Sequence, residues 1–170
     1  MNLRTSILAL LLLTGSFAFA GMDAQFLNEM TMHHQMAVKM AKMAEKKLSA
    51  PQVKKMNRKI IEDQKKDIAR MQSWKKEVGP STESSNDMQM GMDMPMDMDM
   101  SAMKDLKGKD FDSKYLEMMS AHHSQAVSMV QKYLAELKNP KVKSFAEKTA
   151  KMQESEIEKM SKMKEDIANK

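Results

Sequence analysis

The stretch FLNEMTMHHQMAVKMAKMAEKKLSAPQVKKMNRKIIEDQKKDIARMQSWKKE, residues 26–77, decides the fold because it occurs twice. Set above YLEMMSAHHSQAVSMVQKYLAELKNPKVKSFAEKTAKMQESEIEKMSKMKED, residues 115–166, it aligns without a gap at an offset of 89. The shared positions begin with Leu27/Leu116, Met30/Met119, His33/His122, His34/His123, Ala37/Ala126, Val38/Val127 and Met40/Met129. They continue with Leu48/Leu137, Pro51/Pro140, Val53/Val142, Gln64/Gln153, Ile68/Ile157 and Met71/Met160. All four histidines fall within the repeat. An internal repeat of this length is one supersecondary unit that buries its apolar side against its copy.

Each copy reads as two helices and a tight turn. Leu27, Met30, His34, Ala37, Ala41, Ala44 and Leu48 recur at steps of three and four, as do Leu116, Met119, His123, Ala126, Val130, Tyr133 and Leu137. Pro51 and Pro140 sit where a second helix can start, since proline is tolerated in a first turn. The second stripes are Val53, Ile60, Gln64, Ile68, Met71 and Val142, Gln153, Ile157, Met160. The expected fold is therefore all-α: a ferritin-like four-helix bundle of two repeated hairpins, residues 21–78 and 110–170.

Outward from the repeat, residues 79–109 form a Met- and Asp-rich linker. Within it, NDMQMGMDMPMDMDMSAM (86–103) carries eight methionines in eighteen positions. Gly91 and Pro95 rule out a helix, and Asp and Gln between the methionines disfavour a strand, so a flexible segment is expected. Residues 1–20, MNLRTSILALLLLTGSFAFA, read as a secretory signal peptide with Arg4, an apolar run and an Ala-Phe-Ala cleavage site. The expected location is a bacterial periplasm. The apolar run is too short to span a bilayer comfortably, so no stable membrane insertion is expected.

The net charge of +5 is unevenly spread. Residues 79–103 carry Glu83, Asp87, Asp93, Asp97 and Asp99 without Lys or Arg, which leaves +10 elsewhere by subtraction. The lysines interleave with Glu and Asp along the helices, the pattern of a solvated face, and export argues against nucleic acid as a partner. There is no cysteine, so neither disulfides nor thiolate metal sites are available, whereas methionine occurs 23 times. In an oxidising compartment Met is the soft ligand that does not form disulfides.

Antiparallel helices rising equally per residue set positions summing to about 101 at one height in the first hairpin. Met30 then faces Met71, and His33 and His34 are level with Asp67 and Ile68. In the second hairpin Met119 faces Met160 and His123 faces Glu156. His34 and His123 lie on the core stripes, whereas His33 and His122 lie on a flank, His33 with Met36, Met40 and Met43. A histidine on an apolar stripe is ordinarily a hydrogen-bonded core residue, with Gln64 or Asp67 as the available partner here, and a Met stripe is ordinarily adaptable packing. A His-His pair that occurs twice, each with Met before and opposite it, points instead to metal ligation.

Imidazole and thioether without thiolate suit Cu(I) and its analogue Ag(I). Di-iron bundles use Glu-x-x-His, which is absent: Glu29 precedes His33 by four and Glu117 precedes His122 by five. Zinc could take the histidines but has no need of the methionines. The candidate ligands are Met30, His33, His34, Met36, Met40, Met71, Met119, His122, His123, Met129 and Met160. A second, flexible set comprises Met88, Met90, Met92, Met94, Met96, Met98, Met100 and Met103. Nothing resembles a nucleophile with its base or a phosphate-cradling loop, so a binding protein rather than an enzyme is expected. It would sequester Cu(I) or hand it to another copper-handling protein. The alternatives are a Met-rich helical interaction module and a ferritin-like iron bundle.

The combination M-x-x-HH-x-x-A-x-x-M (Met30–Met40, Met119–Met129) followed by Q-x-x-x-I-x-x-M-x-x-W (Gln64–Trp74) resembles a bacterial domain-of-unknown-function family with periplasmic copper-binding members. The resemblance covers each half once, with Met163 standing in place of the tryptophan in the second. It implies a four-helix bundle, a role in copper binding or resistance, and Met30, His33, His34, Met40, Met71 and their repeat mates as site residues.

Overall fold

The computed structural model describes residues 15–79 and 103–169, with side chains from residue 21 onward. Four helices follow in order: α1 (Gly15–Ala44), α2 (Pro51–Val78), α3 (Gly108–Tyr133) and α4 (Pro140–Ala168). No strand occurs among the described residues. α1 packs along α2 and α3 along α4, while α1 touches α3 and α2 touches α4 over shorter stretches, so two hairpins meet face to face. This is the all-α four-helix bundle expected. Both second helices begin at the repeated proline, where a missing N–H costs nothing. α2 ends at Gly79, whose φ of 82° is the left-handed exit that a glycine permits.

The hairpins are fastened by a reciprocal contact. Asp112, fully buried at the start of α3, accepts hydrogen bonds from Ser49 N (2.9 Å), Ser49 Oγ (2.6 Å) and Ala50 N (2.7 Å) in the opposite turn. Its repeat mate Asp23 accepts from Asn139 N (3.0 Å) and Lys138 N (3.3 Å). Each aspartate thus satisfies helix N-terminal donors of the other half, which otherwise lack partners. The two contacts place α3 antiparallel to α1 and show that the pseudo-two-fold axis runs between the hairpins. α1 continues unbroken through the expected cleavage position after Ala20.

The core has two poles. One contains Ala37, Met40, Val53, Met56, Ile60, Phe111, Tyr115, Met119 and Met160; the other contains Phe26, Leu27, Met30, Met71, Val130, Tyr133, Val142 and Phe145. Each fully buried large side chain contributes roughly 1.5–3 kcal/mol, and a polar layer separates the two poles. Met103 requires a correction. Grouped in sequence with the flexible methionines, it is instead 1% exposed and packed in the first pole, and Leu106 packs there too. Lys47 Nζ donates to the Lys104 carbonyl at 2.7 Å and more weakly to that of Met103, pinning this segment beside the first turn. Met88, Met90, Met92, Met94, Met96, Met98 and Met100 lie outside the described residues, as do residues 1–14.

Candidate metal centre

His33, His34, His122 and His123 all have no exposed surface and form the polar layer with Gln64 and Gln153. The flank position read for His33 and His122 is corrected here. That flank faces the other hairpin, and the two rings stack on the pseudo-two-fold axis with centroids 3.7 Å apart and planes 35° from parallel. A two-fold axis brings equivalent positions into self-contact, and the offset of 89 between these residues is the repeat offset itself. His34 and His123 lie 6.2 and 6.3 Å from their neighbours.

Hydrogen bonds fix two of the tautomers. His33 Nε2 is 3.0 Å from the His122 carbonyl oxygen, an acceptor only, so Nε2 carries the proton and Nδ1 a lone pair. His123 Nε2 likewise donates to Glu156 Oε2 at 3.0 Å, as hairpin heights predict. Both Nδ1 atoms are buried without a partner, as are the carboxamides of Gln64 and Gln153. His34 Nε2 stands 4.0 Å from Asp67 Oδ2, outside hydrogen-bonding distance. A native interior rarely leaves so many polar atoms unpaired in one layer. An imidazole whose N–H is taken by a carbonyl or carboxylate, with the other nitrogen free, has the arrangement metal-ligating histidines use.

His33, His34 and His122 are neutral. Burial is the main cause, pushing His33 down to about 4 with His123 adding to the effect and the hydrogen bond to the His122 carbonyl opposing it. Burial, then His33 and His123, pushes His34 down to about 3. Burial, then His33, His123 and His34, pushes His122 down to about 2. Desolvation of the charged imidazolium is the shared reason. Burial pushes the Asp67 carboxyl up.

Thioethers bound the layer on both sides. Met40, Met119 and Met160 belong to the first pole, while Met30 and Met71 with partly buried Met129 belong to the second. The two sets are repeat mates of each other, each drawn from both hairpins, and Thr31 Oγ lies 3.9 Å from Met71 Sδ. Met36 is partly exposed on α1. Among the described residues, no three His, Cys, Asp or Glu side chains are grouped to hold a metal. The donors around this layer are thus thioethers and imidazoles. The Asp23 and Asp112 caps and the His33–His122 stack escape a sequence reading confined to single hairpins. The repeat offset combined with two-fold packing is the signal for the stack.

Two hairpins related by pseudo-symmetry, closed around buried neutral imidazoles between methionine sets, define the class of protein. The chain belongs to the DUF305 family, described as a domain of unknown function, whose match covers residues 23–164. Its structure is similar to that of a DUF305 protein of Streptomyces coelicolor, a candidate secreted protein, at 27% identity and a TM-score of 0.77, covering 88% of this chain and 95% of that one. It is also similar to CopM in its Cu(II)-bound form, at 30% identity and a TM-score of 0.69, covering 85% and 96%. CopM has further been solved with Cu(I), at 28% identity and a TM-score of 0.67, and with silver. No curated protein matches the chain.

Proposed function

We propose that this is an exported copper-binding protein that sequesters Cu(I), and its analogue Ag(I), and passes it to another copper-handling protein, contributing to copper resistance or homeostasis. The observation that carries the reading is the pair of free Nδ1 lone pairs on His33 and His123. The N–H groups of both rings are engaged elsewhere, in a buried layer flanked by methionines. Neutral thioether and imidazole donors favour Cu(I) over harder ions, and the layer offers no carboxylate cluster for iron. CopM, solved with Cu(I), Cu(II) and silver, lends support at the level of the family. The role is binding and transfer without turnover, in a periplasm reached through the residue 1–20 signal. No helix among the described residues is long and apolar enough to cross a membrane.

In the mechanism that follows, the chain's residues do three things. The His122 carbonyl and Glu156 hold the His33 and His123 rings with Nδ1 unprotonated. The apolar poles exclude water, which would compete for a soft ion. The paired methionines supply polarisable sulfur on both sides. Anaerobic Cu(I) titration against a chromogenic chelator tests this. His33→Ala with His122→Ala is expected to weaken binding about tenfold or more, the scale of disturbing a metal ligand's surroundings. Unchanged affinity in a folded double variant contradicts it.

A further inference from the structure

The four imidazoles have no exposed surface, so a metal reaches them only by a route through the bundle. The repeat supplies an internal control, because every position on one side of the layer has a mate on the other. The mates are not chemically alike. In the interior, Met56 and Met163 at the first pole stand where the second has Phe145 and Trp74, which pack edge-to-face at 5.5 Å. On the helix surface Met32 and Met118 stand singly against Ala121 and Glu29, and the longest contrast falls along one ridge.

That ridge is His33, Met36, Met40 and Met43, at steps of three, four and three on α1, so their side chains line up along one side of the helix. Met43 is 51% exposed and is the exposed large hydrophobic residue of the described chain; Met36 is partly buried and Met40 is 3% exposed. The ridge therefore runs from solvent to the stacked imidazole in thioether rungs. The mate ridge on α3 reads His122, Gln125, Met129 and Lys132, and Lys132 is turned over the Tyr133 ring at 4.8 Å. Met22 and Met152 break symmetry in the other direction, against Phe111 and Asp63. Neither makes a ladder: Phe26 and Glu29 stand between Met22 and His33 on α1, and Met152 lies on α4. Met103 packs in the same cluster as Met40.

We propose that soft monovalent metal enters the buried centre at this pole alone, captured at the exposed thioether of Met43 and moved by ligand exchange through Met40 and Met36 to His33. The inference rests on the copper-binding reading above. Weak neutral sulfur donors suit transfer, since none holds the ion against the next. Lys39, Lys42 and Lys46 lie exposed around the ridge, so the attraction comes from sulfur softness rather than charge, and loading depends little on salt.

The test is the rate at which the full-length protein withdraws Cu(I) from its complex with a chromogenic chelator under anaerobic stopped flow, with the equilibrium affinity measured alongside. Met43→Leu is expected to slow loading about tenfold, equivalent to ~1.4 kcal/mol on the barrier, and to leave the affinity unchanged. Gln125→Met with Lys132→Met, which builds the ladder on the opposite ridge, is expected to accelerate loading. Wild-type loading rates in both variants overturn the route. A lowered equilibrium affinity in the leucine variant also overturns it, because it makes the Met43 sulfur a permanent ligand. The copper-binding reading fails separately, if His33→Ala with His122→Ala retains wild-type affinity.

Discussion

Lowering the pH of the metal-free protein from about 7.5 to about 5 crosses the ordinary histidine pKa near 6.5. In the unfolded chain the imidazoles take up protons over this interval. In the bundle, burial holds His33 to about 4, His34 to about 3 and His122 to about 2, so those three remain neutral throughout. The unfolded state then binds more protons than the folded one, and stability falls as pH falls, starting near the unfolded value. At ~1.36 kcal/mol per pH unit, each ring costs roughly 2 kcal/mol by pH 5 and the three about 6 kcal/mol together. Asp67, with its raised pKa, acts in the opposite sense at the low end of the interval and trims the loss. A single domain commonly has only ~5–15 kcal/mol of stability, so the effect is large. Thermal melts followed by circular dichroism should show Tm falling by at least ~10 °C across the interval. Silver should protect, because the metal competes with protons for the same lone pairs. A Tm that does not change between the two pH values refutes the buried neutral layer.

Three further outcomes follow from particular contacts. Asp112→Ala removes three hydrogen bonds at the first turn and should cost about 2–3 kcal/mol in chemical denaturation, more than Asp23→Ala, whose contacts are longer. Met30→Leu with Met119→Leu keeps the core volume and should cost under ~1.5 kcal/mol, yet weaken Cu(I) binding by removing a sulfur on each side of the layer. Deleting residues 86–102 should lower the number of Cu(I) ions seen by native mass spectrometry while leaving the affinity of the bundle intact.

The bundle is legible in the sequence because the repeat, its three-and-four spacing and its prolines all specify the same hairpin. Met30 opposite Met71, Met119 opposite Met160 and His123 on Glu156 are legible because helix rise alone sets the heights within a hairpin. Contacts between the hairpins are not. A stripe beside the main core stripe reads as a flank until a second hairpin covers it, which is how His33 and His122 come to be buried. The aspartate caps are hidden for a related reason: Asp23 and Asp112 serve donors more than sixty residues away in sequence. Met103 looks like its neighbours in composition, and only the packing of the segment pinned by Lys47 separates it from them.

The central claim is that imidazole nitrogen and methionine sulfur share one ion in the buried layer. X-ray absorption at the copper edge, on the protein lacking residues 86–102 and loaded with one equivalent of Cu(I), tests it most directly. A first shell containing both sulfur and imidazole scattering is the predicted result; a shell of sulfur alone, or of nitrogen and oxygen alone, contradicts it.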